Sequence, residues 1–508
     1  MSALKTLYRH SSHYLGGRVA VMLLGFISFP VFTRIFSVAD YGTINLITNI
    51  VLLLTVISKF GFQHSVQRYY PDGASANQES MRSYFSTLFY STGGLALILS
   101  AFFVASVFLG LGRFFGVNAG GTLILACSLV AIRSLRSMQM NLMQIEHKTR
   151  LFNGVDIFQK AATIALSCAL LFFWQKTLFA FFLGVVIVEG IVLMQYWPIL
   201  ARRDLISLRA FDFSFLRTAI AFSMPLMAAE ISWVVLDSGD RFFIQHYMGL
   251  QALGFYAAAY GIAIYLQDVM MAPLQLALFP ICMKVWNNDG KEATQNFLSR
   301  SLDQFLLAAV AVVCVAIVTA RDVIVLLASK KFQEAHGLLP YLVIGLVLSA
   351  VTIFFRPGLM IYKRASRIAS ATFYACVLNI VLNMILLPRI GLVGAAIATM
   401  ISYAAIVVFL AYQSLGVLPY KLEPMAFARY CIVGGAAAWL VLQIPIESPL
   451  LSAIVKASLI LAIYAMVLFA IDKHVRSLLI SFWDVVTRRL HAESKPVLNS
   501  ITATTERT

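Results

Sequence analysis

Residues 224–260 read MPLMAAEISWVVLDSGDRFFIQHYMGLQALGFYAAAY. An apolar stretch runs into an acidic-basic pair, Asp240-Arg241, meets a short turn carrying Gly249, and resumes as a second apolar stretch at Gly254. Pro225 sits near the start of the first stretch and Glu230 about half-way across it. Two apolar spans joined by so short a turn fit a chain that crosses a bilayer and returns. A carboxylate at Glu230's depth costs about 2.5–3.5 kcal/mol on insertion scales, so it is expected to face protein or water.

The rest of the chain agrees. Of 508 residues, 60% are hydrophobic and 12% charged, and the mean hydropathy is +0.84. Soluble domains carry about 25% charged residues, so most of this chain does not face water. Apolar runs long enough to cross a hydrocarbon core of about 30 Å recur from end to end. They are continuous, whereas a membrane barrel would show short alternating segments. The fold class is therefore all-α, a polytopic membrane protein. The net charge of +16 does not imply nucleic-acid binding, which needs a basic soluble module that no polar stretch here could house. It fits the Lys/Arg excess of cytoplasmic loops, with room for cations inside the membrane. The six cysteines are scattered without a C-x-x-C pair and read as small core residues. Lys5 and Arg9 precede an apolar segment too long for a signal peptide and lacking a cleavage site, which is expected to be a retained first span.

About fourteen spans are expected, near 14–36, 44–62, 84–109, 122–144, 152–174, 178–200, 216–236, 254–285, 297–320, 338–362, 368–387, 392–415, 426–444 and 450–471. Lys and Arg on one set of ends outnumber those on the other by better than about two to one, which places both termini in the cytoplasm. The expected organisation is a six-helix bundle over 1–200, a cytoplasmic connector over 201–213 and a second six-helix bundle over 214–415. Two additional spans over 416–475 and a partly disordered cytoplasmic tail over 476–508 complete it. A faint repeat relates the halves. Pro30, Thr33-Arg34 and Asp40-Tyr41-Gly42 in the first match Pro225, Asp240-Arg241 and Gly254-Phe255-Tyr256 in the second. Both halves enter the membrane in the same direction, as in parallel-repeat transporters.

These features resemble polysaccharide transporters, the O-antigen and exopolysaccharide flippases of the multidrug/oligosaccharidyl-lipid/polysaccharide exporter superfamily. The resemblance rests on Pro225, Asp240-Arg241, Gly249 and Gly254-Phe255-Tyr256, and on FPVFTRIFSVADYG over 29–42. It also rests on LNIVLNMILLPRIGLVGAAIATMISY over 378–403, where Asn379 and Asn383 share a helix face and Pro388 and Gly391 make a hairpin. The two asparagines are expected to hydrogen-bond between helices. The resemblance implies an inner-membrane flippase for a polyprenyl-diphosphate-linked oligosaccharide, without cofactor. It also implies glycan polymerase and chain-length regulator proteins as partners.

No catalytic constellation, metal spacing or nucleotide-binding loop is present, so charges inside spans are the functional candidates. Arg133 and Arg136 share a face of the fourth span, and Asn141 and Gln144 continue a polar stripe, so that helix is expected to line a cavity. With Arg18, Lys59 and Arg356 they form a cationic set suited to a pyrophosphate, whose oxygens a guanidinium binds bidentately. These five are the candidate substrate-binding residues. Candidates for coupling or gating are the mid-span carboxylates Glu189, Glu230 and Asp268 and the outer-end residues Arg34, Asp240 and Arg241. The carboxylates are expected to pair with the arginines, and Asp156 with Lys160 at i, i+4. A multidrug cation antiporter would carry an acidic, aromatic cavity instead. A glycan polymerase or ligase would carry a large outward loop.

Overall fold

The computed structural model describes residues 2–70, 77–111, 120–145, 148–202 and 206–477. Within these, the side chains of 2–15 and of Arg18 lie outside the described set, as does the tail beyond residue 477. The described residues are helical with short connections. The helices are α1 (Ser2–Ile35), α2 (Val38–Lys59), α3 (Phe62–Arg68), α4 (Gln78–Ser106), α5 (Gly120–Ile145), α6 (Thr149–Phe173) and α7 (Leu178–Arg202). They continue as α8 (Phe213–Ser238), α9 (Asp240–Ala328), α10 (Leu339–Ile361), α11 (Ala365–Ile390), α12 (Leu392–Leu415), α13 (Pro424–Leu442) and α14 (Pro449–Ile471).

Helix starts follow local chemistry. Ser37 and Asp40 form a reciprocal capping box at α2, and Asp212 accepts from the amides of Ser214 and Phe215 at α8. Proline in the first turn opens α10, α13 and α14, where its missing N–H has no partner to lose. The 89-residue run of α9 would be about 130 Å long if straight. It is not, because Gly249 (φ 82°) and Gly290 (φ 80°) take left-handed backbone that turns the chain. Residues 240–248 therefore finish the span that α8 begins, and 250–289 and 291–328 are the two spans after it.

Among the described residues eleven helical segments are long and apolar enough to cross a membrane, and one of them, Phe213–Ala328, holds three successive spans. With the shorter apolar helix Val19–Ile35 the count reaches the fourteen expected. Large side chains such as Phe102, Phe173 and Ile432 are more than half exposed, a surface that lipid accepts and water does not. This is a multi-pass α-helical membrane protein.

The chain forms two compact units. The first comprises Met1–Arg300 and Val323–Lys421. In it α5 packs on α2, α4 and α7, while α6 bridges α1 and α7, and α12 packs on α10 and α11. The second comprises Ser301–Asp322 and Leu422–Thr508. There Tyr430 donates to both carboxylate oxygens of Asp303 (3.2 Å each), Tyr464 to the Leu307 carbonyl (3.0 Å) and Ser452 to Asp322 (2.6 Å). Those bonds hold α13 and α14 against residues 301–322.

Candidate transport site

Three groups of charged side chains lie within the first unit. The first is held by α5, α6 and α7. Arg133 sits at the middle of α5, roughly 20 Å of helix from either end. Its Nε and Nη2 donate to Glu189 of α7 at 2.9 Å each, a fork-on-carboxylate geometry. One turn on, Arg136 donates to Asp156 of α6 at 3.0 Å. The expected Asp156–Lys160 pair is not formed. Asp156 is taken by Arg136 from the neighbouring helix, since an i, i+4 pair at a helix surface contributes only about 0.2–0.5 kcal/mol while a buried guanidinium left alone is far worse. Beside these residues is a cavity of about 290 Å³ lined by Ser28, Thr48, Arg133, Asp156, Lys160 and Glu189 among others. The fourth span thus lines a hollow, as its polarity implies. On its stripe Gln139 donates to the Leu193 carbonyl at 3.1 Å and Asn141 to the Ser137 carbonyl at 2.8 Å, while Gln144 is exposed.

The second group joins the end of α2 and the start of α3 to α8. Lys59 donates to Glu230 of α8 at 2.9 Å, and Gln63 binds the other oxygen of the same carboxylate. Between Lys59 and Gln63 the backbone leaves helix, with Phe60 (φ 50°) and Gly61 (φ 68°) both left-handed. A left-handed Phe costs about 1–2 kcal/mol, and the break turns α3 so that Ser65 meets Ser223 at 2.6 Å. One helical turn along α8 from Glu230, the Trp233 ring lies 5.9 Å from the Arg356 guanidinium. Arg356 also donates to Thr352 at 3.3 Å, and no carboxylate among the described residues lies within ion-pair distance of it. Within this set of cations, Arg356 is held by an aromatic face and a hydroxyl instead of by an acid.

The third group surrounds the pair that the sequence places beside a turn. Asp240 and Arg241 are instead inside a helical run, at 0% and 4% exposure, because the turn falls at Gly249. Arg241 donates to Asp240 (2.9 Å) and to the Asp237 carbonyl (2.6 Å), and its guanidinium lies 4.2 Å over the Tyr260 ring. Tyr256 and Thr399 donate to Asp240, and Tyr260 (2.7 Å) and Tyr403 (3.3 Å) to Asp237. Asp237 was not singled out from sequence. Its signal was a third ionisable residue one turn before a buried pair. Asn379 and Asn383 were expected to bond between helices. They bond each other along α11, Asn383 Nδ2 donating to the Asn379 carbonyl at 2.9 Å and side-chain oxygen at 3.0 Å.

Arg34 does not join that pair. It donates to the carbonyls of Pro30, Leu326 (2.7 Å) and Leu327, closing the end of α1 on the end of α9. Lys331 adds bonds to the carbonyls of Arg34 (3.1 Å) and Phe36. Partial burial draws its ammonium below the ordinary lysine value, with Asp40 nearby opposing the shift. At the same end Gly42 and Gly254 let α2 and α9 touch. A Cβ on Gly42 would lie 2.1 Å from the Leu250 carbonyl oxygen, and one on Gly254 would lie 2.0 Å from that of Val38. Asp268 lies near Tyr265, whose ring packs edge-on to Phe26 and Phe29 of α1. The Arg18 side chain is outside the described residues.

The family model described as "Polysaccharide biosynthesis protein" matches residues 7–286. "Lsg locus putative protein 1" of Haemophilus influenzae is 20% identical over 331 residues, covering 64% of this chain and 77% of that protein. Among solved structures, lipid II flippase MurJ in an inward closed conformation superposes with a TM-score of 0.62 at 14% identity, over 90% of this chain and 98% of that one. An inward-facing multidrug resistance MATE family transporter of the MOP superfamily does so at 0.55 and 15% identity, over 81% and 95%. At these identities the structures share the fold. The two solved structures are those of a flippase and a transporter, and the chain belongs to the polysaccharide biosynthesis protein family.

Proposed function

We propose that this protein is a flippase that moves a polyprenyl-diphosphate-linked oligosaccharide, an O-antigen or exopolysaccharide repeat unit, across the bacterial inner membrane. The reading rests on one observation above the others: Arg133, Arg136, Lys59 and Arg356 are held at bilayer depth on both halves of a flippase-like fold. Retaining four cations in hydrocarbon is costly, and an anionic cargo that enters the membrane gives a reason for them. Family membership and the lipid II flippase fold support the same class.

Arg356 is the residue we assign to first contact with the diphosphate, because a phosphate oxygen displaces no carboxylate to reach it. Lys59 and Arg133 receive charge after exchanging Glu230 and Glu189 for the cargo, so these carboxylates act as placeholders that return when it leaves. Glu189, Glu230 and Asp268 are then candidates for coupling, and Arg18 completes the cationic set. The Gly42–Gly254 contact, the Arg34 and Lys331 bonds and the buried Asp240–Arg241 pair form a seal at the outer face in this conformation. Rocking of the two six-span halves about that seal gives alternating access. Both termini are cytoplasmic in this scheme, and glycan polymerase and chain-length regulator proteins act on the product outside.

The decisive experiment is reconstitution. Purified protein in vesicles carrying the organism's own lipid-linked repeat unit exposes that headgroup to an external glycosidase faster than protein-free vesicles do. Equal rates would remove the assignment. A multidrug cation antiporter is the second reading. The paired and unpaired cations at depth disfavour it, and export of a lipophilic cation by the same vesicles would revive it.

A further inference from the structure

The cavity beside α5, α6 and α7 is lined by Arg133, Lys160, Asp156 and Glu189, and Arg136, which does not line it, bonds one of those carboxylates from outside. Arg133 is closed on Glu189 and Arg136 on Asp156. Lys160 also lines the cavity, and among the described residues no carboxylate oxygen lies within ion-pair distance of it. The charged groups that act on Lys160 are Arg133, Asp156 and Glu189, and both carboxylates are already engaged by guanidinium groups. Three cations therefore stand against two carboxylates, near the middle of the membrane.

The same wall holds two orphaned polar atoms. Gln159 Oε1 and Thr163 Oγ1 are buried without a hydrogen-bond partner, and both residues line the cavity beside Lys160. Buried polar groups in folded proteins are nearly always satisfied, by protein, water or ligand. At about 290 Å³ the space accepts an ion with several waters. A metal cation is disfavoured there by Lys160 and Arg133. A divalent anion would overshoot the balance and face Asp156 and Glu189 at close range.

We propose that this cavity binds a monovalent inorganic anion of the chloride class. Lys160 supplies the ion pair, the Thr163 hydroxyl donates to the anion, and Gln159 Oε1 accepts from a water that hydrates it. An occupied cavity fixes Lys160 and leaves Asp156 and Glu189 on their arginines. An empty one frees Lys160 to compete for either carboxylate, so the anion tunes how readily Arg133 and Arg136 are released.

The test needs no glycan, so its failure and the failure of the flippase assignment are separate results. Full-length purified protein is unfolded thermally in detergent at constant ionic strength, with sodium chloride, sodium gluconate or sodium sulfate. Chloride is expected to raise the midpoint saturably by about 2 °C or more over gluconate and sulfate. Lys160→Met abolishes that difference. Thr163→Val, which keeps the volume and carries the test if Lys160→Met does not fold, shifts the chloride half-point to at least about threefold higher concentration. Identical midpoints in chloride and gluconate, an equal effect of sulfate, or variants with the full wild-type response would each overturn the proposal.

Discussion

Arg356 differs from Lys59, Arg133, Arg136 and Arg241 in one respect that bears on function: it leans on Trp233 and Thr352 and closes on no described carboxylate. If it receives the cargo's phosphate, Arg356→Ala lowers flipping by at least about tenfold with the protein still present at normal membrane levels. Arg356→Lys keeps part of the rate, because the charge remains and the bidentate fork is lost. Headgroup exposure in vesicles, normalised to protein content, reads both. Arg133 and Glu189 make the opposite case. Removing one partner leaves the other buried and unpaired, at a cost of about 3–5 kcal/mol, so Glu189→Gln and Arg133→Gln each destabilise strongly. The double variant recovers part of the loss, and chemical unfolding in detergent of all four proteins measures it. At this scale the depth of each charge was readable from its place in an apolar run. The partner was not, because Asp156 sits as near Lys160 in sequence as any helix neighbour and still bonds Arg136 of α5.

Among the elements, the crossing of α2 and α9 is the contact with least slack. Leu250 and Val38 carbonyl oxygens rest where a Cβ would stand on Gly42 and Gly254. Gly42→Ala forces the helices apart, and overpacking of this kind costs about 1–3 kcal/mol. The variant is expected to hold the outer end open, so that a cysteine replacing Ser37 reacts faster with an impermeant maleimide than it does beside Gly42. Equal labelling rates would show that this contact does not seal. The break at Phe60-Gly61 is the other singular element, since it places Lys59 and Gln63 on one carboxylate across the halves. Helix existence and the hairpin glycines Gly249 and Gly391 were legible from local chemistry. The break was not, because Phe60 has no local reason to be left-handed and is held there by Gly61's approach to Ser223 of α8.

For the whole molecule, charge distribution across the connections gives a topology that labelling can check. In a cysteine-free background, a single cysteine replacing Lys176 is expected to react with an impermeant maleimide in intact cells, and one replacing Lys291 only after permeabilisation. The reverse pattern would invert the chain and put the proposed seal on the cytoplasmic face. The run of α8 and α9 together illustrates what composition conceals at this scale: 116 residues of continuous helical hydropathy, Phe213–Ala328, contain three spans, divided where glycines permit a turn.

The amino-acid sequence by itself determined that this protein is an all-helical chain of about fourteen membrane spans with cations at depth. It does so because hydrocarbon leaves each span's backbone no partner but itself, and run length then counts the crossings. Only the tertiary structure decided which acid a given cation meets, that three tyrosines close on Asp237 and Asp240, and that Gly42 and Gly254 touch. Those outcomes depend on distances between helices far apart in sequence. At low dielectric the nearest opposite charge in space wins, wherever it lies along the chain.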